Sequence, residues 1–438
     1  MRIAVAGLVW GVALATGCGG GGGGGGSTPP DARLDMLAPA DAAPVDLGPA
    51  VTDGAPPDAA PDTTFDGAPP DASPDAEPDA EPDARAPTPT RHVDVVAEAD
   101  VALDAETAFH LPMPLGADEA LFIEAAGAGD GVYQVVSVRG PSGSLVGEPA
   151  GGGLSRTSAN PGTATALLPN TDAVPDATTL PAGDYTVVVR ALGGGLGHVH
   201  LRVLRIAGPA VSLSVVVLLP ADLGFERDDP SVETFRSTLA SRVGEWFGLA
   251  GTVSVRLLPA GAPATLELDS IHGDLSGFGG LGAAVPVDAP AGLRLYLVDQ
   301  IRDGANTVGG MSGGLPVPSS PSHGPADVTA VRASLLADFP AAVADAAAHE
   351  LGHALGLYHT TEPYGDRDDP IADTRACPLA CDADGDGVLF ARECGSHGQG
   401  AANCAGTSDN LMFWTAGGTW STTPGQRRVV SRHPIAGP

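Results

Sequence analysis

The sequence predicts a multidomain chain: an all-β sandwich followed by an α/β (α+β) domain, both preceded by an export leader and an unfolded tether. Three observations carry this expectation. Between His92 and Ile206 the apolar residues alternate or form short runs separated by Gly/Pro turns, the pattern of strands. From Val211 onward a continuous apolar run is followed by apolar residues at helical spacing and then by two more apolar runs, the order of a sheet covered by helices. Ahead of His92 the chain is Gly, Pro, Ala and Asp, with too little apolar bulk to offset the entropy of ordering it.

Residues 1–18 have the form of a targeting segment: Arg2, an apolar run from Ile3 to Ala15, then Leu14-Ala15-Thr16-Gly17-Cys18. The run falls short of the ~20 residues that span a bilayer. Small residues directly before a cysteine resemble a bacterial lipobox, which implies cleavage before Cys18 and lipidation of its thiol; a plain secretory signal is the other reading, and both export the chain. Residues 19–91 form the tether. Eight glycines, Gly19 to Gly26, open it, and Ser27 to Thr90 then carries 14 acidic residues against Arg33 and Arg85, twelve of the chain's 31 net negative charges. Self-repulsion and proline stiffness predict an extended, passive spacer. A net charge of −31 argues against nucleic acid or anionic lipid headgroups as direct partners.

Residues 92–207 are the expected sandwich, with strands at Ala120–Ile123, Val132–Val138, Tyr185–Val189 and His198–Ile206. His198 and His200 share one face of the last strand, where histidines are usually surface residues and not ligands. Residues 208–438 are the expected α/β domain. Val211–Leu219 reads as a buried strand; Asp229-Pro230 is a helix start, cap then proline. Val232, Phe235, Leu239, Val243 and Trp246 follow at helical spacing and give that helix one apolar face. Val253–Leu258 and Leu293–Val298 are further strands, and Asp327–Ala333 alternates ahead of Pro340.

The chemistry concentrates at His349-Glu350-Leu351-Gly352-His353-Ala354-Leu355-Gly356-Leu357-Tyr358-His359. Histidines four apart on a helix project from one face and can reach one zinc ion. Gly356 can take the left-handed conformation that ends the helix and returns His359 as third ligand. Three neutral imidazoles leave a fourth position to water, whose pKa zinc lowers to about 7. Glu350 stands beside the first ligand as general base. The eleven residues resemble the zinc signature of the metzincin clan of metallopeptidases. That resemblance implies a methionine turn beneath the ligands, for which Met412 in Asp409-Asn410-Leu411-Met412-Phe413-Trp414 is the candidate, and peptide-bond hydrolysis with Glu350 as base. Where some members place a tyrosine ligand two residues after that methionine, this chain has Trp414. The resemblance also makes Asp327–Ala333 the expected edge strand, along which an extended peptide substrate lies. Pro181-Ala182-Gly183-Asp184-Tyr185 is similar to the last strands of β-sandwich modules appended to secreted bacterial peptidases.

An insert, residues 377–404, separates the zinc helix from the methionine. Asp382 to Glu393 fits a twelve-residue calcium loop with Asp382, Asp384 and Asp386 at positions one, three and five, Gly387 at six, the Val388 carbonyl at seven and Glu393 at twelve. By strict count Gly387 is sixth from Asp382, and Phe390 at nine offers no side-chain oxygen, so a water is expected there. Cys377, Cys381, Cys394 and Cys404 lie in an exported chain and are expected to form disulfides, with three pairings open. No cysteine lies between Cys18 and Cys377, which excludes a pro-segment thiol as a cap on the metal. The expected protein is therefore an exported, lipid-anchored zinc endopeptidase with a structural calcium; the competing reading is a surface adhesion lipoprotein with a vestigial peptidase domain.

Overall fold

The computed structural model describes residues 90–437 apart from 104–105, 114–118, 128–130, 147–154, 172–179, 193–196, 262–264, 269–275, 287, 305, 321–323, 396–403, 405 and 416–419. The leader, Cys18 and nearly all of the tether lie outside the described residues. What is described is a mixed α+β structure.

Among the described residues the first half has nine strands: β1 His92–Leu103, β2 Glu106–Met113, β3 Ala120–Gly127, β4 Val132–Gly140, β5 Gly143–Ser144, β6 Ala159–Pro161, β7 Thr163–Leu168, β8 Gly183–Leu192 and β9 Gly197–Ala207. They form two antiparallel sheets, β1-β9-β3-β7 and β2-β8-β4-β5, with β6 paired to β4. Side-chain alternation sends Leu121, Ile123, Val199, Leu201 and Val203 of one sheet against Tyr133, Val135, Tyr185 and Val187 of the other. The opposite face of the first sheet is buried too. There Phe122, Leu167, Leu204 and Ile206 join the core of the second half, packing with Leu213, Val215 and Leu355. The sandwich and the α/β part therefore share apolar core, so β3 and β7 are buried along both faces.

The second half contains β10 Leu213–Pro220, α1 Pro230–Trp246, β11 Val253–Ala260, β12 Thr265–Leu268, α2 Ser276–Ala283, β13 Leu293–Val298, β14 Gln300–Asp303, β15 Asn306–Val308, β16 Gly310–Ser312, β17 Val328–Arg332, α3 Pro340–Ala354, α4 Ala391–Cys394 and α5 Pro424–Ser431. Its main sheet has the order β11-β10-β13-β17-β16. The first four strands are parallel and β16 is antiparallel to β17. All five apolar positions expected on α1 are buried, and α1 packs beside α3 on one face of the sheet. Burying side chains of this size contributes about 1.5–3 kcal/mol each. The other face is covered by α2 and the small β12-β14-β15 sheet, through Phe278, Leu281, Ile301 and Val308.

One expectation fails. The strand within Asp327–Ala333 is β17, an interior strand between β13 and β16, and the edge is Gly310–Ser312. Its alternation signals no solvent face, because Val328, Ala330 and Val331 are all buried, on both sides of the sheet. Three residues of Gly-Met-Ser are too short and too weakly patterned to announce a strand.

Candidate metal centre

Helix α3 is mostly alanine before its histidines, a composition with high helix propensity and small enough to let the helix sit close on the sheet. It ends where Gly356 adopts φ +101°. Gly356 N–H donates to the His353 carbonyl (2.9 Å) and Leu357 N–H to that of Gly352 (2.9 Å), a Schellman ending that turns the chain back toward the helix. His359 is thereby returned to the face that carries His349 and His353.

The three imidazoles converge. His353 Nε2 lies 3.1 Å from His349 Nε2 and 3.1 Å from His359 Nε2. Their other nitrogens all have acceptors: His349 Nδ1 donates to the Leu411 carbonyl (2.6 Å), His353 Nδ1 to the Leu357 carbonyl (2.7 Å) and His359 Nδ1 to Glu362 Oε2 (2.9 Å). With the proton on Nδ1 in each ring, three Nε2 lone pairs face one another inside the protein. Burial, followed by the neighbouring imidazoles, holds His349 and His353 well below the usual histidine range, so both are neutral. Mutually repelling lone pairs are relieved by a shared cation, and three neutral imidazoles are a zinc donor set.

Glu350 is buried, and neither carboxylate oxygen has a hydrogen-bond partner. Burial raises its pKa well above the usual carboxylate value. It sits against the edge strand: a Cβ added at Gly310 would fall 2.5 Å from Glu350 Cγ. Met412 is likewise buried, and a Cβ at Gly352 would fall 2.6 Å from its Sδ, so the thioether underlies α3 between the two helical ligands. The Met412 amide donates to Asn410 Oδ1 (2.8 Å), and its carbonyl accepts from Thr360 N–H (2.9 Å), tying the turn to the residue after the third ligand.

Two residues of this centre escape the sequence reading. Glu362 follows His359 by three, a spacing from which its local role was recoverable. Arg156 comes from the sandwich, with Nη2 3.9 Å from Glu362 Oε1, and no local signal announces it. Burial works against the charge of Glu362, yet the hydrogen bond from His359 and the nearby Arg156 and Arg367 hold its carboxyl below the usual range.

The insert closes as two disulfides, Cys377–Cys394 and Cys381–Cys404. Asp382, Asp384 and Glu393 bring carboxylate oxygens within 4.8 Å of one another. Asp386 stays outside that group, its Oδ1 accepting from Val388 N–H (2.8 Å). Asp382 takes amides of Gly385 and Gly387 (both 2.7 Å), and Glu393 those of Ala383 (2.9 Å) and Phe390 (2.7 Å). A short 3-10 turn, Leu379–Cys381, precedes the loop, with only the four-residue α4 at its end. Trp414 is a packing residue: it lies with the cysteines, and its indole N–H donates to the Leu389 carbonyl. His200 is a surface ion-pair residue, 2.9 Å from both Glu98 and Asp100, and His198 is exposed.

No family model and no curated protein matches the chain. Among solved structures, metalloproteinase-II from Bacteroides fragilis is similar at 15% identity and a TM-score of 0.25, over 40% of this chain and 60% of that one, so the chain spans less than two thirds of that protein. A family two carbohydrate esterase from Cellvibrio japonicus follows at 11% identity and a TM-score of 0.13, over 48% and 67% of the two chains. Overlaps this slight assign neither fold nor activity.

Proposed function

We propose that the chain is a zinc-dependent endopeptidase that hydrolyses extended protein segments. The observation that carries this reading is the convergence of three buried Nε2 lone pairs beside an unpartnered carboxylate, Glu350. Zinc held by His349, His353 and His359 supplies Lewis acidity and lowers the pKa of a water molecule. Glu350 then does the proton work. Its carboxyl, buried beside the three histidines, would take a proton from water and deliver it to the departing amine. A substrate strand pairing with the outer edge of β16 lies beside Glu350, since Gly310 of that strand touches it.

The same reading extends to the insert and the leader. Asp382, Asp384 and Glu393 with a water are proposed to bind calcium as a structural ion, with Asp386 and the Val388 carbonyl completing the shell after small side-chain shifts. Export and lipidation at Cys18 are proposed to tether the enzyme to a membrane of the cell envelope. The test is metal content with peptide cleavage. Full-length protein should carry one tightly held zinc and cleave a proteome-derived peptide library, and His353→Ala should lose both. Stoichiometric zinc with no cleavage of any peptide would instead favour a surface adhesion protein with a vestigial centre.

A further inference from the structure

We propose that Arg156 of the β-sandwich is a positioning residue of the metal centre, acting through Glu362 to hold His359, so that the sandwich is a working part of the site. The inference rests on the zinc reading. Its basis is how residues 358–370 are held, a stretch with no helix or strand of its own that leads from the third ligand toward the insert. Arg156 touches it at three points. Its guanidinium stacks 4.3 Å from the Tyr358 ring centre, Nη1 donates to the Asp368 carbonyl at 2.8 Å, and Nη2 faces Glu362. Glu362 uses its other oxygen to accept from His359 Nδ1. The backbone that carries the guanidinium is anchored as well, because Asn170 clamps Arg156 on both sides: Arg156 N–H donates to Oδ1 (3.0 Å) and the Arg156 carbonyl accepts from Nδ2 (2.8 Å). Two further sandwich side chains reach the same stretch, Ser158 at the Tyr358 hydroxyl (3.3 Å) and Thr171 at the Pro370 carbonyl.

A planar fork that stacks and donates at once fits this position, and lysine supplies only the charge. Without Arg156 the carboxylate of Glu362 loses a cationic neighbour and Tyr358 its stacking partner. The hydrogen bond that orients His359 is then held less firmly, and a ligand whose outer partner is disturbed typically binds metal 10–100-fold more weakly.

The experiment is chelator-competition measurement of zinc affinity on the full chain, with the visible spectrum of the cobalt-substituted protein as a second readout. Arg156→Gln should weaken zinc by about tenfold or more and shift the cobalt bands, with Arg156→Lys recovering part of the loss. Glu362→Gln should weaken zinc as well, and the double variant should be no weaker than Glu362→Gln alone, since both act through one path. If Arg156→Gln folds poorly, Arg156→Lys against Glu362→Gln reads the same coupling. Unchanged affinity and spectrum in Arg156→Gln, or losses that simply add, overturn the positioning role. A wild-type chain that takes up no zinc overturns the metal reading itself.

Discussion

At the scale of single residues, two positions besides the ligands lend themselves to substitution. His433 is buried edge-on to Phe122 and donates from Nε2 to the Val317 carbonyl (3.0 Å). Burial holds its pKa down at about 3, against about 6.5 in an unfolded chain. Between those values the unfolded state binds the proton and the native state does not. This contribution to stability is therefore complete above pH ~6.5 and is lost as pH falls toward 3, at up to about 1.4 kcal/mol per pH unit. His433→Gln keeps a donor for Val317 and should flatten the acid limb of unfolding free energy against pH; a limb parallel to wild type would show that His433 is not its source. Gly310 is the second. Its backbone accepts alanine, but the new Cβ collides with Glu350 Cγ, so Gly310→Ala should retain zinc and lose about 10²-fold in turnover. Undiminished turnover would mean that Glu350 has room to spare.

At the scale of elements, the legible features were those with local periodicity. Helix α1 begins at Pro230 and buries the five side chains spaced for it, β13 spans Leu293–Val298, and Gly356 carries the positive φ that its place after His353 requires. Strand β1 was not legible, because its exposed valines, Val93 and Val95, and its acidic residues give it no clean apolar face and its partner β9 lies about a hundred residues on. The edge of the sheet was misplaced for the opposite reason: β17 alternates while buried on both sides. The insert was legible as a loop but not in its pairing. It also grips the metal centre mechanically, since Cys377 N–H donates to Thr361 Oγ1 (2.7 Å), Leu389 N–H to the Pro363 carbonyl (2.7 Å), and Trp414 to Leu389. The Arg392 guanidinium pairs with Asp384, which among the described residues leaves the carboxylates of Asp382 and Glu393 without a cationic partner of their own. Millimolar calcium should therefore raise the melting temperature and shield residues 377–404 from proteolysis, with Glu393→Gln removing both effects. Coincident melting curves with and without calcium, at full zinc occupancy, would reduce the loop to an acidic turn.

At the scale of the whole molecule, the union of the two halves is what the sequence least revealed. Arg91 donates to the carbonyls of Gly208, Ser431 and His433, Thr165 to that of Pro316, and Asn160 accepts from Leu315 N–H. Each such pair joins residues far apart in the chain, and no periodicity reports it. The docking predicts that a fragment beginning near residue 208 exposes Leu204- and Phe122-facing apolar surface and aggregates or unfolds, read as loss of a cooperative thermal transition; a stable, active fragment would contradict a shared core. For the leader, Cys18→Ser should abolish incorporation of labelled fatty acid, and a wild-type chain that never incorporates it is secreted by an ordinary signal.

Glu350 is proposed to transfer protons beside a metal held by three histidines. Turnover of a cleaved peptide by Glu350→Gln, measured together with its zinc content, tests it most directly. Glu350→Gln should hold one zinc per chain, as in wild type, with turnover lower by at least about 10²- to 10⁴-fold. Full zinc with undiminished turnover would contradict it.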